Sequence, residues 1–119
     1  MVRVNDLIFL HNEYTGQDGG FLDTDNAGCQ GDFLCVSTAI SSDRAGQKTG
    51  TWMVLSESGI DDGDTLHIDD PVRLQNAYLN GNGGYLDTRN PGCEGNFLCV
   101  STSQTPDRDS GSTWWRFRP

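Results

Sequence analysis

The segment at 18–38, DGGFLDTDNAGCQGDFLCVST, returns at 82–102 as NGGYLDTRNPGCEGNFLCVST, 64 residues further along. Sliding the chain by 64 lays 19–44 over 83–108 with 17 of 26 positions identical, so the chain is an internal duplication. With 119 residues it has enough material for one modest core and too little for two, so the copies are expected to share one domain spanning 1–119. Upstream, 2–14 lies over 66–78 and keeps Asp6/Asp70, Leu10/Leu74, Asn12/Asn76 and Tyr14/Tyr78. Downstream the register slips by two, which sets Thr51 against Thr113 and Trp52 against Trp114. Repeat one is thus 1–55 and repeat two 65–119, joined by the acidic linker SESGIDDGD at 56–64.

Within each repeat the runs are short and strand-like. LIFLHN and VRLQN are rich in strand formers, FLDT and YLDT follow glycine pairs, FLCVST is a run of β-branched and apolar residues, and TWMVL or TWWRF closes the unit. Turn dipeptides punctuate them and no sustained helical period occurs. The expected fold is all-β, a compact pseudo-twofold barrel of about 8–10 short strands built from two tandem repeats of roughly 55 residues. Trp114 and Trp115 are adjacent, and adjacent strand residues point to opposite faces. On the two-residue slip, Trp114 enters the core and Trp115 faces outward as a binding platform or interface anchor.

The order of these segments resembles a β-trefoil subdomain of the ricin-B or MIR type: a strand ending in Asn (FLHN, RLQN), a Gly-rich turn, G-[FY]-L-D-T, a hairpin to LCVST, and a closing strand opened by Trp. The resemblance covers nearly the whole chain, with Thr-Trp where the ricin type has Gln-Xaa-Trp, and with two units where a trefoil has three. It implies a tandem duplication of the kind found in small microbial lectins. Carbohydrate binding at one shallow site per unit would follow.

A net charge of −9 argues against a nucleic-acid backbone or an anionic membrane as partner, since both attract basic surfaces. The acids are uneven: residues 1–64 hold 11 against 3 Lys or Arg, and 65–119 hold 6 against 5. No run approaches the roughly 20 apolar residues of a membrane helix, and the amino terminus does not read as a signal peptide. The chain is therefore expected to be soluble, without membrane insertion, and secreted only if a signal has been removed.

A duplicated function should leave polar, aromatic or turn-forming residues in both copies. Asn12/Asn76, Tyr14/Tyr78, Asp23/Asp87 and Asn26/Asn90 meet that test, and with Trp115 they form the candidate ligand-binding set. Carboxylates and amides meet sugar hydroxyls in donor–acceptor pairs, and a tyrosine ring covers the apolar face of a pyranose. The same Asp and Asn residues also build Asx turns, which is the structural alternative. Asp43-Arg44 and Asp107-Arg108 are repeated as well, and such pairs commonly pin their own loop.

The four cysteines form two C-x5-C pairs, Cys29/Cys35 and Cys93/Cys99. Within-repeat disulfides are preferred over a four-thiolate zinc site, whose spacing is normally shorter, and over buried reduced cysteines. The two histidines, His11 and His67, are not repeated, and no nucleophile elbow or phosphate loop occurs, so no enzyme, cofactor or metal site is expected. The functional expectation is a non-enzymatic lectin with two similar sites, its partners glycans or glycoproteins and its state open to homo-oligomerisation. The alternatives are a β-trefoil-like inhibitor or toxin-associated protein-binding module acting through the loops at 40–50 or 103–111, and a purely structural duplicated barrel.

Overall fold

Strand-forming runs separated by turns give eight strands among the residues that the computed structural model describes, which are 2–14, 19–24, 33–42, 46–56, 64–88, 98–106 and 111–118. They are β1 (Leu7–Ile8), β2 (Phe21–Thr24), β3 (Val36–Ala39), β4 (Trp52–Ser56), β5 (Pro71–Asn76), β6 (Tyr85–Thr88), β7 (Val100–Ser103) and β8 (Trp115–Arg116). The fold is predominantly β, as expected, and helical geometry among the described residues is confined to single turns.

The repeated sequence builds the same local structure twice. In repeat one, β2 and β3 pair from Phe21↔Ala39 to Thr24↔Val36; in repeat two, β6 and β7 pair from Tyr85↔Ser103 to Thr88↔Val100. Each hairpin starts at a glycine in the left-handed region, Gly20 at φ 85° and Gly84 at φ 96°. A side chain on Gly84 would lie 2.8 Å from the Thr102 side chain, so both the backbone angle and the close approach require glycine. The turn before each repeat's first strand is also doubled. Asn5 and Asp69 are left-handed at φ 70° and 73°, and the Asp6 and Asp70 carboxylates accept the N–H groups of Arg3 and His67. Asn and Asp tolerate that conformation better than other side-chain-bearing residues, and the Asp carboxylate closes the turn.

Five strands form a path β1-β4-β5-β6-β7, β8 adds to β5, and β2-β3 stand as a separate pair. β5 is the centre. Its burial alternates strictly, with Val72, Leu74 and Asn76 inside, and it pairs with β4, β6 and β8. Val72, Leu74, Trp52, Val54, Leu86, Val4 and Leu66 make a core shared by the two repeats.

Two expectations are corrected here. The sheets do not close into a barrel: the six-stranded sheet runs from β1 to β7 with β8 attached to β5, and among the described residues no ladder joins it to the β2-β3 pair, which is tied to its neighbours by isolated bridges, His11↔Phe21 and Cys35↔Ser101, and by hydrogen bonds such as Leu22 N–H to the Leu10 carbonyl. The carboxy-terminal register slips by one residue, not two. Trp52 pairs with Ile8 and donates its indole N–H to the Leu22 carbonyl, and Trp115 pairs with Val72 and donates to the Leu86 carbonyl. Asn5 N–H meets the Val54 carbonyl as Asp69 N–H meets that of Phe117. Trp115 is therefore the counterpart of Trp52 and packs against the core, while Trp114 holds the Arg73 guanidinium 3.7 Å from its ring centroid. The opposite-face rule holds; its phase was shifted because the loop before the strand is one residue shorter, and either tryptophan satisfies the alternation.

Candidate functional site

The site begins with an Asn-Xaa-Tyr turn. Asn76 ends β5 fully buried; its side-chain Oδ1 accepts the N–H of Tyr78 at 3.0 Å, and its Nδ2 donates to the carbonyl of Thr49 in repeat one at 2.8 Å. A Cβ at Gly83 would fall 2.5 Å from that Oδ1, so glycine leaves the space that the amide fills. With its first residue held this way, the chain continues through the turn Tyr78–Gly81, where Leu79 and Asn80 sit in the left-handed region at φ 57° and 58°. Across the junction, Lys48 is also left-handed at φ 62°. Leucine and lysine lack the short polar side chain by which Asn and Asp ease that conformation, and such residues gather where the surrounding structure holds a loop in a set shape.

Between these loops lies a cavity of about 540 Å³. Gln47 and Lys48 come from repeat one, Tyr78, Leu79 and Asn80 from repeat two, and Met53, Gln75 and Leu7 from the strands beneath. Met53 and Gln75 are direct partners in the β4-β5 ladder, which fixes the floor. A second hollow of about 310 Å³ shares Gln75 and Gly81 and adds Asn82, Tyr85 and Gln104. The result is an open groove with amides and phenols along it, one cation, no carboxylate among its described lining residues, and exposed apolar side chains at Leu7 and Leu79.

The predicted site residues are distributed unevenly around this groove. Tyr78 lines it, and Asn76 shapes it from beneath without reaching the surface. Asp23 and Asp87 are 2% and 0% exposed, inside the hairpins, so they support the structure from within and do not present a carboxylate to an external ligand. Asn12 is exposed and its Oδ1 accepts the Tyr14 N–H at 2.9 Å, the same turn as in repeat two, with Tyr14 75% exposed. Trp115 lines a different cavity of about 330 Å³, with Leu10, Leu74 and Phe117. Asn26 and Asn90 lie outside the described residues, as do Asp43, Arg44, Asp107 and Arg108. Cys29 and Cys93 also lie outside them, and neither Cys35 nor Cys99 is a free thiol.

Gln75, Asn80 and Lys48 were missed because a search for repeated residues discards them: their counterparts are His11, Gly16 and Gly111. The Asn80-Gly81 dipeptide was the available signal, since it marks a turn that repeat one does not share. Among the described residues no group of three or more His, Cys, Asp or Glu side chains could hold a metal ion, and no helix is long and apolar enough to cross a membrane. No protein family, curated protein or solved structure matches this chain.

Proposed function

We propose that this chain is a carbohydrate-binding protein without catalytic chemistry, and that its site is the groove between the repeats. The observation that carries this is the lining of the 540 Å³ cavity: Gln75, Asn80 and Gln47 offer paired donors and acceptors, Tyr78 offers a ring and a hydroxyl, and Leu7, Met53 and Leu79 offer apolar surface. Sugars present that same mixture of hydroxyl pairs and apolar ring faces. The neighbouring hollow at Tyr85 and Gln104 extends the groove beyond a single ring, which suits an oligosaccharide. The resemblance of each repeat to a trefoil subdomain points the same way. Disulfides Cys29–Cys35 and Cys93–Cys99 would staple the hairpin of each repeat beside this framework, and mass spectrometry of the unreduced chain tests them.

A groove made by both repeats changes the expected stoichiometry. Residues 1–119 contain one junction between repeats, and that junction forms one groove. A glycan-array screen followed by titration calorimetry tests the proposal. The expected result is one site per chain, lost in Tyr78→Ala and weakened in Gln75→Ala with the fold intact; a blank array overturns it.

One observation favours protein binding as a second possibility. Ile40, directly after β3, is 98% exposed and opens the loop at 40–50. An inhibition panel against proteases of differing specificity, repeated with Ile40→Asp, distinguishes it: inhibition lost in that variant supports a loop-borne inhibitor.

A further inference from the structure

The internal junction and the two outer edges of the chain are made of equivalent residues in opposite states. At the junction, β4 pairs with β5 over five residues, Trp52↔Asn76 to Ser56↔Val72, and Trp52, Val54, Leu74 and Asn76 are between 0% and 3% exposed. Their counterparts are Trp115 on β8 and Phe117 just beyond it, and Leu10 and Asn12 beyond β1. The first three are half-buried and Asn12 is exposed. Strand length follows the same division: β4 and β5 run for 5 and 6 residues, whereas β8 and β1 each run for 2. The sequence of β1 continues as strand formers through Phe9 and Leu10, so its shortness reflects a missing neighbour and not a poor propensity.

The hydrogen bonds differ in the same sense. Ala77 N–H donates to the Thr51 carbonyl, and Asn76 Nδ2 to the Thr49 carbonyl, across the internal junction. The matching donors at the amino-terminal edge are Glu13 N–H and Asn12 Nδ2. The matching acceptor at the carboxy-terminal edge is the carbonyl of Trp114, the counterpart of Thr51.

Both edges line the 330 Å³ cavity, Leu10, His11 and Asn12 from one and Trp115, Arg116 and Phe117 from the other, and among the described residues no strand pairing joins them. We infer that a second copy of this chain covers that open side, the β1 edge of each copy pairing with the β8 edge of the other about a twofold axis. Because one opening displays both edges, two copies meeting face to face satisfy all four edges, and the assembly closes at two. The internal register carries over: Trp115 lies opposite Asn12 of the other copy, and Phe117 opposite Leu10. Charge agrees. The carboxy-terminal edge bears Arg116 and Arg118, and it meets repeat one, whose residues 1–55 hold 7 acids against 3 Lys or Arg. Protein surfaces with complementary edges and an apolar centre are the usual form of a stable self-association.

Sedimentation velocity on the full chain is the first test. The expected species has twice the 13.0 kDa chain mass. A 13.0 kDa species at every concentration overturns the inference, and so does a series of oligomers that lengthens with concentration. Phe9→Lys is the diagnostic variant. Phe9 is 52% exposed, and in the carried-over register it faces Arg118 of the other copy, so a lysine there sets like charges opposite each other. It is expected to yield monomer with an unchanged far-ultraviolet spectrum; an undisturbed dimer overturns the docking mode. Hydrogen exchange on the unmodified chain gives a reading that needs no variant. The Glu13 amide should gain protection as concentration rises, and a rate independent of concentration overturns the proposed pairing.

Discussion

The indoles of Trp52 and Trp115 make the same bond in the two repeats, each donating Nε1–H to a leucine carbonyl of its own hairpin, Leu22 at 3.1 Å and Leu86 at 2.8 Å. They differ in surroundings. Trp52 is sealed at the junction between repeats with no exposed surface, whereas Trp115 stands half-buried at the open side. Replacing Trp52 by Ala should cost about 3–5 kcal/mol, the range for large aromatic residues in closed cores, and Trp115→Ala clearly less when both are measured at concentrations below dimer formation. Urea unfolding of the two variants checks this, and equal losses would show that the open side is as tightly packed as the junction.

The asparagines give a second contrast. Asn76→Ala leaves the Tyr78 N–H and the Thr49 carbonyl without their buried partner, and each such loss costs about 1–3 kcal/mol. In the single chain, at concentrations below dimer formation, Asn12→Ala removes one exposed bond to Tyr14 and should cost below about 1 kcal/mol. Midpoint shifts in denaturant, measured side by side, are the test.

Gly84→Ala is expected to destabilise by more than the roughly 1–2 kcal/mol of left-handed strain alone, because the new methyl meets Thr102 and the Ser103 carbonyl at 2.8–2.9 Å. Gly81→Ala, at φ 88° with no atom within 4 Å, should pay only the strain. Thermal melts of the pair separate contact from conformation.

Asp87→Ala tests where the repeated carboxylates act. A residue with no exposed surface, inside a hairpin, should register as lost stability of about 2 kcal/mol or more, and any loss of glycan binding should track unfolding. Binding abolished in a variant with an unshifted melting temperature would restore Asp87 to the ligand site.

The all-β character was legible in the residues because β-branched runs and glycine pairs are local signals. The phase of Trp114-Trp115 was not, since it depends on the length of a loop that differs between copies. The role of Asp23 and Asp87 was ambiguous for a related reason: Asp-Thr after a short apolar run looks alike whether its carboxylate turns outward or into the hairpin, and only packing decides. Barrel closure was illegible because it depends on whether β1 and β8 find partners, which is a question of geometry between the chain's ends and not of propensity. The groove was half legible. Tyr78 recurs as Tyr14, but the residues that make the groove polar come from both repeats and belong to neither pattern.

One consequence concerns how the chain holds its two ends. Residues near the amino terminus pair at Arg3↔Thr65, and the last strand pairs at Pro71↔Arg116 and Val72↔Trp115, so both ends fasten to the stretch from 65 to 72 that follows the linker. The stretch acts as a clasp. Fraying of one end loosens the anchor of the other, and the first and last segments should open as a coupled pair, although they lie more than a hundred residues apart along the chain.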